Sequence, residues 1–269
     1  MQKMTLNEIK EVSLDILTEF HDFCSSHSLK YSLAGGTAIG AVRHQGFIPW
    51  DDDVDVCMPR QDYERFCAIY QGNVDFELFA PQRGNSLIGY ARLCEMRRTM
   101  AQPFVPCFKS ESGIWIDVFP MDLANNDYDK YYARQKKIYS VKLRLDHRRD
   151  AMRILNKSLG LKGNLHVLWQ KVTCPSATVE ELVDEITRLS TAEEECCSRL
   201  TNYHTVYREK EWYLRKDFDD TIPVKFEGKE FRLMSGYDDY LHQIYGDYME
   251  LPPAEKRIPR HSRHQYLWK

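Results

Sequence analysis

Four carboxylates crowd into five positions of this chain, at Asp51, Asp52, Asp53 and Asp55, just after Pro49 and Trp50. The last two alternate with Val54 and Val56. Alternation of charge with β-branched side chains reads as a strand, with Asp53 and Asp55 projecting from one face and the valines entering the core. Two like charges about 4 Å apart repel by roughly 4 kcal/mol at an effective dielectric near 20, so a fold that keeps both ionised needs a compensating cation. A set of hard oxygen donors points to Mg2+ or Mn2+. A solvated acidic loop would not ask for the interleaved valines. A calcium loop fails on spacing: with Asp51, Asp53 and Asp55 as its first three ligands, Val56 stands where the turn glycine belongs and Asp62 where the bidentate glutamate belongs.

Two further stretches bear on the same chemistry. In Ile114-Trp115-Ile116-Asp117-Val118-Phe119 a lone carboxylate interrupts an apolar strand. Burying it is costly unless it is paired or bound to metal, which makes Asp117 a candidate third ligand beside a capping or salt-bridge role. Upstream, Gly35-Gly36-Thr37 stands between a predicted strand and a predicted helix. Glycines at such a corner let a phosphate approach the backbone, and the helix start offers amides to it. By itself a glycine pair is more often a plain turn. Its nearness to the acidic strand is what singles it out.

The elements that would hold these residues follow from periodicity. Thr5 and Glu8 form a capping-box pattern ahead of Ile9, Val12, Ile16, Phe20 and Phe23, which predicts an amphipathic helix ending near His27. Residues 29–34 read as a short strand, 38–42 as a packed helix closed by Arg43 and His44, and 45–50 as the loop that delivers the acidic strand. Pro59 ends that strand, and Tyr63, Phe66, Cys67 and Tyr70 mark the buried side of another helix. Strands are expected at 76–79 and 88–96, the second carrying Arg92 among apolar neighbours.

Beyond Asp122 the composition changes. A charged helix is predicted over 128–154, with Lys142, Arg144, Arg148, Arg149 and Arg153 as either a solvated face or a hold on an anionic ligand. A second helix opens at the Thr178–Glu181 capping pattern and is expected to run to about Asn202. Residues 222–234 read as a hairpin turned at Glu227-Gly228, followed by a helix over 235–245 that stops at Gly246. The tail is basic, with Lys256, Arg257, Arg260 and Arg263; His261 and His264 are spaced as a metal pair, with phosphate contact or solvation as the alternatives.

Whole-chain properties exclude several classes. At 269 residues the chain can bury a full core, and its net charge of -3 argues against nucleic-acid binding. No apolar run approaches the ~18 residues of a membrane span, and the N-terminus lacks the apolar core of a signal peptide. The eight cysteines contain no Cys-x-x-Cys pair and lie in apolar segments, as expected of reduced buried thiols. A cytoplasmic protein is the expectation, and whether the basic tail makes peripheral contact at the inner face of a membrane is left open by the sequence. Together the glycine corner, the Asp-x-Asp strand and the lone Asp are the parts needed for metal-assisted phosphoryl or nucleotidyl transfer.

At Leu33-Ala34-Gly35-Gly36-Thr37-Ala38-Ile39-Gly40-Ala41-Val42-Arg43-His44, at Gly46-Phe47-Ile48-Pro49-Trp50-Asp51-Asp52-Asp53-Val54-Asp55 and at Ile116-Asp117-Val118-Phe119-Pro120 the chain resembles the LicD family, which is related to fukutin-type enzymes. Tyr245-Gly246-Asp247-Tyr248-Met249 and Leu251-Pro252-Pro253 extend the resemblance. It implies an α+β fold with a nucleotidyltransferase core of DNA polymerase β type, a small mixed sheet flanked by helices, over 1–125. The patterns read above add a mainly helical insertion over 126–205, which the resemblance does not cover, and a C-terminal hairpin, helix and basic tail over 206–269 packing on the core. The resemblance also implies transfer of a phosphorylated alcohol, typically phosphocholine from CDP-choline, to a hydroxyl of a cell-surface glycan or glycolipid, releasing CMP. By position Asp53, Asp55 and Asp117 take the metal-binding roles, Gly35, Gly36 and Thr37 the phosphate-contacting turn, and Arg43 and Arg92 further phosphate contacts. Arg92 stands where lysine is commoner. The rival readings are nucleotidyl transfer from a nucleoside triphosphate with release of pyrophosphate, a glycosyltransferase, and a non-catalytic nucleotide-binding module.

Overall fold

The computed structural model describes residues 2–102, 108, 110–152, 160–174, 176–193, 196–258 and 265–269. The capping box opens α1 (Leu6–Ser26): Glu8 N–H donates to Thr5 Oγ1, and the Glu8 carboxylate accepts from Thr5 N–H. Val12, Ile16, Leu17, Phe20 and Cys24 form its buried stripe. A two-residue β1 (Ser32–Leu33) leads into α2 (Gly35–His44), and after a loop come β2 (Asp55–Pro59) and α3 (Arg60–Ile69). Then follow β3 (Phe76–Phe79), β4 (Ala91–Glu95), β5 (Thr99–Gln102) and the ten-residue β6 (Trp115–Ala124).

The sheet runs β1-β2-β6-β4-β3, with β6 at its centre. β2 pairs with β6 in parallel; β1 with β2, and β4 with both β3 and β6, are antiparallel. A strand buried on both faces reads as a near-continuous apolar run, which is what Ile116, Val118, Phe119 and Met121 give β6. Helices α1, α2 and α3 join the sheet in one apolar core, stacked around rings such as Phe20, Tyr31, Phe66 and Tyr70. Beside it, the Asp122 carboxylate at the far part of β6 accepts two hydrogen bonds from Arg60, at 2.6 and 2.8 Å.

The second half is helical first. Among the described residues it holds α4 (Tyr128–Ala151), α5 (Gly160–Val172) and α6 (Val179–Ser190). The predicted helix end at Ile154 and the basic residue Arg153 fall outside the described residues, as do His261 and His264. Helix α5 lies inside the expected helical insertion, at a position where no individual helix is predicted. Helices α4 and α6 close over a second apolar cluster that includes Tyr131, Ile138, Leu182, Ile186 and Tyr203.

The helix expected to reach Asn202 stops at Ser190. Beyond it β7 (Arg199–Thr201) pairs with β6, and β8 (Tyr213–Leu214) with β7, making the sheet seven-stranded. The capping pattern sets a helix start well, but strands of two or three residues are too short for period-two alternation to register. The expected hairpin is present as β9 (Thr221–Phe226) and β10 (Lys229–Met234), with Glu227 and Gly228 both at positive φ, 49° and 74°. It is followed by α7 (Tyr237–Tyr245), closed at Gly246. The last strand, β11 (Gln265–Trp268), returns to pair with β5, so the chain's end is stitched to the core. Among the described residues no helix is long and apolar enough to cross a membrane.

Candidate active site

Helix α2 begins directly at the end of β1, and no side chain caps it. Gly35, at φ +53°, occupies a backbone conformation that L side chains rarely adopt, and a Cβ there would lie 2.9 Å from Asp55 Oδ2. At Gly36 a Cβ would lie 2.6 Å from Asp51 Oδ2 and displace that carboxylate. The first turn of α2 therefore abuts two carboxylates, where the positive end of its dipole favours them. Thr37 Oγ1 accepts from Asp55 N–H at 2.9 Å, and Gly35 N–H donates to the Tyr240 hydroxyl at 3.0 Å. The glycine corner thus positions the acidic residues as well as opening the backbone.

Strand β2 begins at Asp55, two residues later than the alternation suggests, with Asp53 in its lead-in. Val54 and Val56 are buried, and Asp117 N–H donates to Val54 O at 2.9 Å, so pairing with β6 already holds at that point. The parallel register sets Asp55 directly across from Asp117. Burial holds the Asp55 carboxyl well above the usual range, and the charges of Asp53, Asp117 and Asp51 push it the same way, against the pull of Arg92. Arg92 lies on β4 opposite Asp117 and donates to it at 2.5 and 3.5 Å. Its guanidinium packs against Trp115, Tyr90 and Phe108, with the Trp115 ring centre 4.5 Å away. Arg92 is thereby engaged with Asp117 and lies outside the lining of the cleft described next.

Gly35, Gly36, Arg43, Asp53, Asp55 and Asp117 all border one cleft of about 730 Å³. Arg43 also fastens the chain after α7, donating to the carbonyls of Tyr248 and Glu250. Every donor on this wall is hard oxygen, and the mutual repulsion that raises Asp55 is what a divalent cation would relieve, so the residues fit Mg2+ or Mn2+. Among the described residues the three carboxylates with oxygens within 4.8 Å of one another are Asp51, Asp52 and Asp53, immediately beside Asp55.

The rest of the cleft was not legible as a site. It draws on Tyr90, on residues 202–211 and on α7 and its successor, with Tyr207 and Tyr245 packed edge to face 5.2 Å apart. Glu211 is fully buried there; it accepts from the hydroxyls of Thr205 and, at 2.6 Å, Tyr213. Burial pushes its carboxyl up to about 7, against those hydrogen bonds and the charge of Lys142. Lys142 reaches in from α4 to the carbonyls of Tyr203 and His204, at 3.2 and 2.9 Å, and burial brings its ammonium down to about 8. His204 also lines the cleft; burial, with Lys142 and Arg60 nearby, holds its ring well below the usual histidine range. In sequence Glu211 is one of two glutamates in the charged run Arg208-Glu209-Lys210-Glu211 ahead of Trp212-Tyr213, with no spacing that marks chemistry.

Residues 28–145 match the family described as LicD/FKTN/FKRP, nucleotidyltransferase domain. Over 281 aligned positions the chain is 31% identical to the lipopolysaccharide cholinephosphotransferase LicD of Haemophilus influenzae, covering 99% of this chain and 100% of that protein. An uncharacterized protein of Rickettsia typhi is 36% identical over 70 residues, covering 26% of this chain and 23% of that protein. One of Rickettsia prowazekii is 36% identical over 63 residues, with 23% and 24% covered. The family match includes every residue of the acidic wall from Gly35 to Asp117 and ends before Asn202 and Glu211.

Proposed function

Because this chain belongs to the LicD/FKTN/FKRP family, we propose that it transfers phosphocholine from CDP-choline to a hydroxyl of a lipopolysaccharide-type glycolipid, releasing CMP. The observation that carries this reading is the meeting of Asp53, Asp55 and Asp117 in one cleft beside the glycine-led start of α2. A nucleotidyltransferase core of DNA polymerase β type is the finer fold assignment we adopt, supported by the mixed sheet whose parallel pair aligns Asp55 with Asp117.

In this mechanism the donor's diphosphate lies against the acidic wall. Mg2+ or Mn2+ bound by Asp53 and Asp55, with Asp117 as a further ligand, would supply neutralisation of the diphosphate charge. The first turn of α2 and Arg43 favour the same anion. Arg92 fixes Asp117 in orientation through its paired hydrogen bonds. The acceptor oxygen attacks the phosphorus that carries choline, the bond to CMP breaks, and the hydroxyl proton passes to a carboxylate of the wall. Catalysis by such a site is mostly positioning and charge stabilisation. Tyr90, Tyr207 and Tyr245 offer aromatic faces to a trimethylammonium group, and Glu211 a counter-charge. The closed, apolar settings of Cys24, Cys57 and Cys67 suit a reducing compartment, and we place the reaction in the cytoplasm.

The test is product identification after incubation with Mg2+, a lipopolysaccharide or deacylated glycan acceptor, and a panel of CDP-alcohols and nucleoside triphosphates. CMP formed from CDP-choline, with phosphorus appearing on the acceptor, is expected. Pyrophosphate formed from a triphosphate would overturn the reaction in favour of nucleotidyl transfer. A cleft that binds nucleotide but turns over none of the panel would favour the binding module.

A further inference from the structure

Helix α5 turns its apolar side away from the protein. Leu161, Leu165, Leu168, Trp169 and Val172 are 78%, 55%, 44%, 56% and 85% exposed, while the residues it buries are Val167 and Gln170. At 3.6 residues per turn those five fall within an arc of roughly 100°, and Val167 and Gln170 fall on the other side. Lys162 lies about 20° beyond the Trp169 edge of the arc and Lys171 about 60° beyond the Leu168 edge, and the helix contains no Asp or Glu. An arginine pair, Arg148 and Arg149, ends the neighbouring α4. Trp169 is held in place by stacking on His147 of α4, 5.7 Å between ring centres and 10° between planes.

We propose that α5 is an interfacial helix that seats this chain on the surface of an anionic lipid bilayer. The pattern is the one such helices need: a leucine and tryptophan stripe to enter the acyl boundary, with a lysine on either side of it to meet lipid phosphates. At 13 residues the helix is about 20 Å long, too short to span a bilayer and suited to lie in its plane. A second copy of the chain is a poorer occupant. A helix about 20 Å by 10 Å offers one stripe, well below the ~800 Å² per partner that a stable protein pair buries, and two copies would bring like charges together. Lys142, one and a half turns ahead of His147 on α4, reaches the carbonyl of the cleft residue His204, so a single rigid helix joins the docking face to the cleft. The inference does not depend on the reaction proposed above.

The experiment is co-sedimentation of the full chain with vesicles of phosphatidylcholine alone or with a third phosphatidylglycerol, at low and high salt. Binding to the anionic vesicles that weakens with salt is expected. Leu165→Glu with Trp169→Glu lowers partitioning at least about tenfold. Lys162→Gln with Lys171→Gln lowers it roughly 25-fold, about fivefold per lysine. The lysine pair leaves the apolar stripe untouched and gives the answer if the apolar variant fails to fold, as checked by thermal melting. No binding to either vesicle, or binding that all variants share, overturns the proposal. So does a concentration-dependent dimer that Leu165→Glu abolishes, since another copy would then be what covers this face.

Discussion

On the sheet side of the cleft, Asp55 and Asp117 stand across from one another on paired strands, and the Arg92 guanidinium is hydrogen-bonded to Asp117. On the side built from residues 202–211, the buried carboxylate of Glu211 receives two hydroxyls and feels the ammonium of Lys142. Both sets hold a carboxyl above its ordinary range, and burial leads in each case, but like charges add to it at Asp55 whereas the neighbours of Glu211 work against it. The sheet side is therefore built to receive positive charge in quantity. The loop side holds one buried carboxyl, raised to about 7 and moderated by its neighbours.

The largest effect that tests this contrast comes from Asp55→Asn. On the proposed mechanism, removing this carboxylate should lower transfer on the order of 10³-fold, since the wall would lose one of the residues proposed to hold the cation. The same change should make the metal-free protein more stable at pH 7. A carboxyl whose pKa is raised in the fold destabilises the folded state at every pH above its unfolded value, and asparagine removes that term while keeping the shape. Melting in a chelator should therefore rise by a few degrees. A variant that loses activity and also melts lower would place Asp55 among the structural residues.

Arg92→Met should act in the opposite sense on stability. It leaves the half-buried Asp117 beside Asp55 without its guanidinium; breaking a fully buried pair costs about 3–5 kcal/mol, and this pair, partly open to the cleft, should cost less than that. Chemical denaturation measures it. The double variant with Asp117→Asn should recover much of that loss, because no charge is then left uncompensated. Independent, additive losses would mean that the pair is not coupled and that Arg92 serves the apolar packing of Trp115 and Phe108 instead.

The two sides also differ in how far the sequence disclosed them. Asp53, Asp55, Asp117, Gly35 and Gly36 could be singled out because their elements are periodic: valines mark the strand, apolar neighbours mark β6, and glycine marks the corner. The register that brings Asp55 to Asp117 could not be read, since it is fixed by pairing between segments 62 residues apart, from Asp55 to Asp117. Arg92 was visible as an arginine in an apolar strand, yet its engagement with Asp117 depends on β4 lying next to β6. Glu211 and His204 were hidden, and Lys142 was visible only as one of a basic run, for a different reason. They come from a helix interior and an irregular stretch, and the strands β7 and β8 that bring residues 202–211 to the cleft are three and two residues long. Burial created their chemistry, and local pattern does not report burial of that kind.

Glu211→Gln gives the smallest effect and the finest test of the loop side. In the wild type the carboxyl is raised from 4.5 to about 7, so stability is greatest where the group is protonated in both states. It should fall as pH rises from about 4.5 through about 7, by on the order of 3 kcal/mol, and the glutamine variant should lack that fall. Binding should move the other way. A carboxylate formed near pH 7 attracts a trimethylammonium group, so KM for a choline donor should drop across that pH range in the wild type. With Glu211→Gln it should stay flat, and be several-fold higher at pH 8 with kcat less affected. A parallel change in kcat and KM at all pH values would assign Glu211 to holding Thr205 and Tyr213 in place. A pH-dependent KM that survives the substitution would move the titrating counter-charge elsewhere in the cleft.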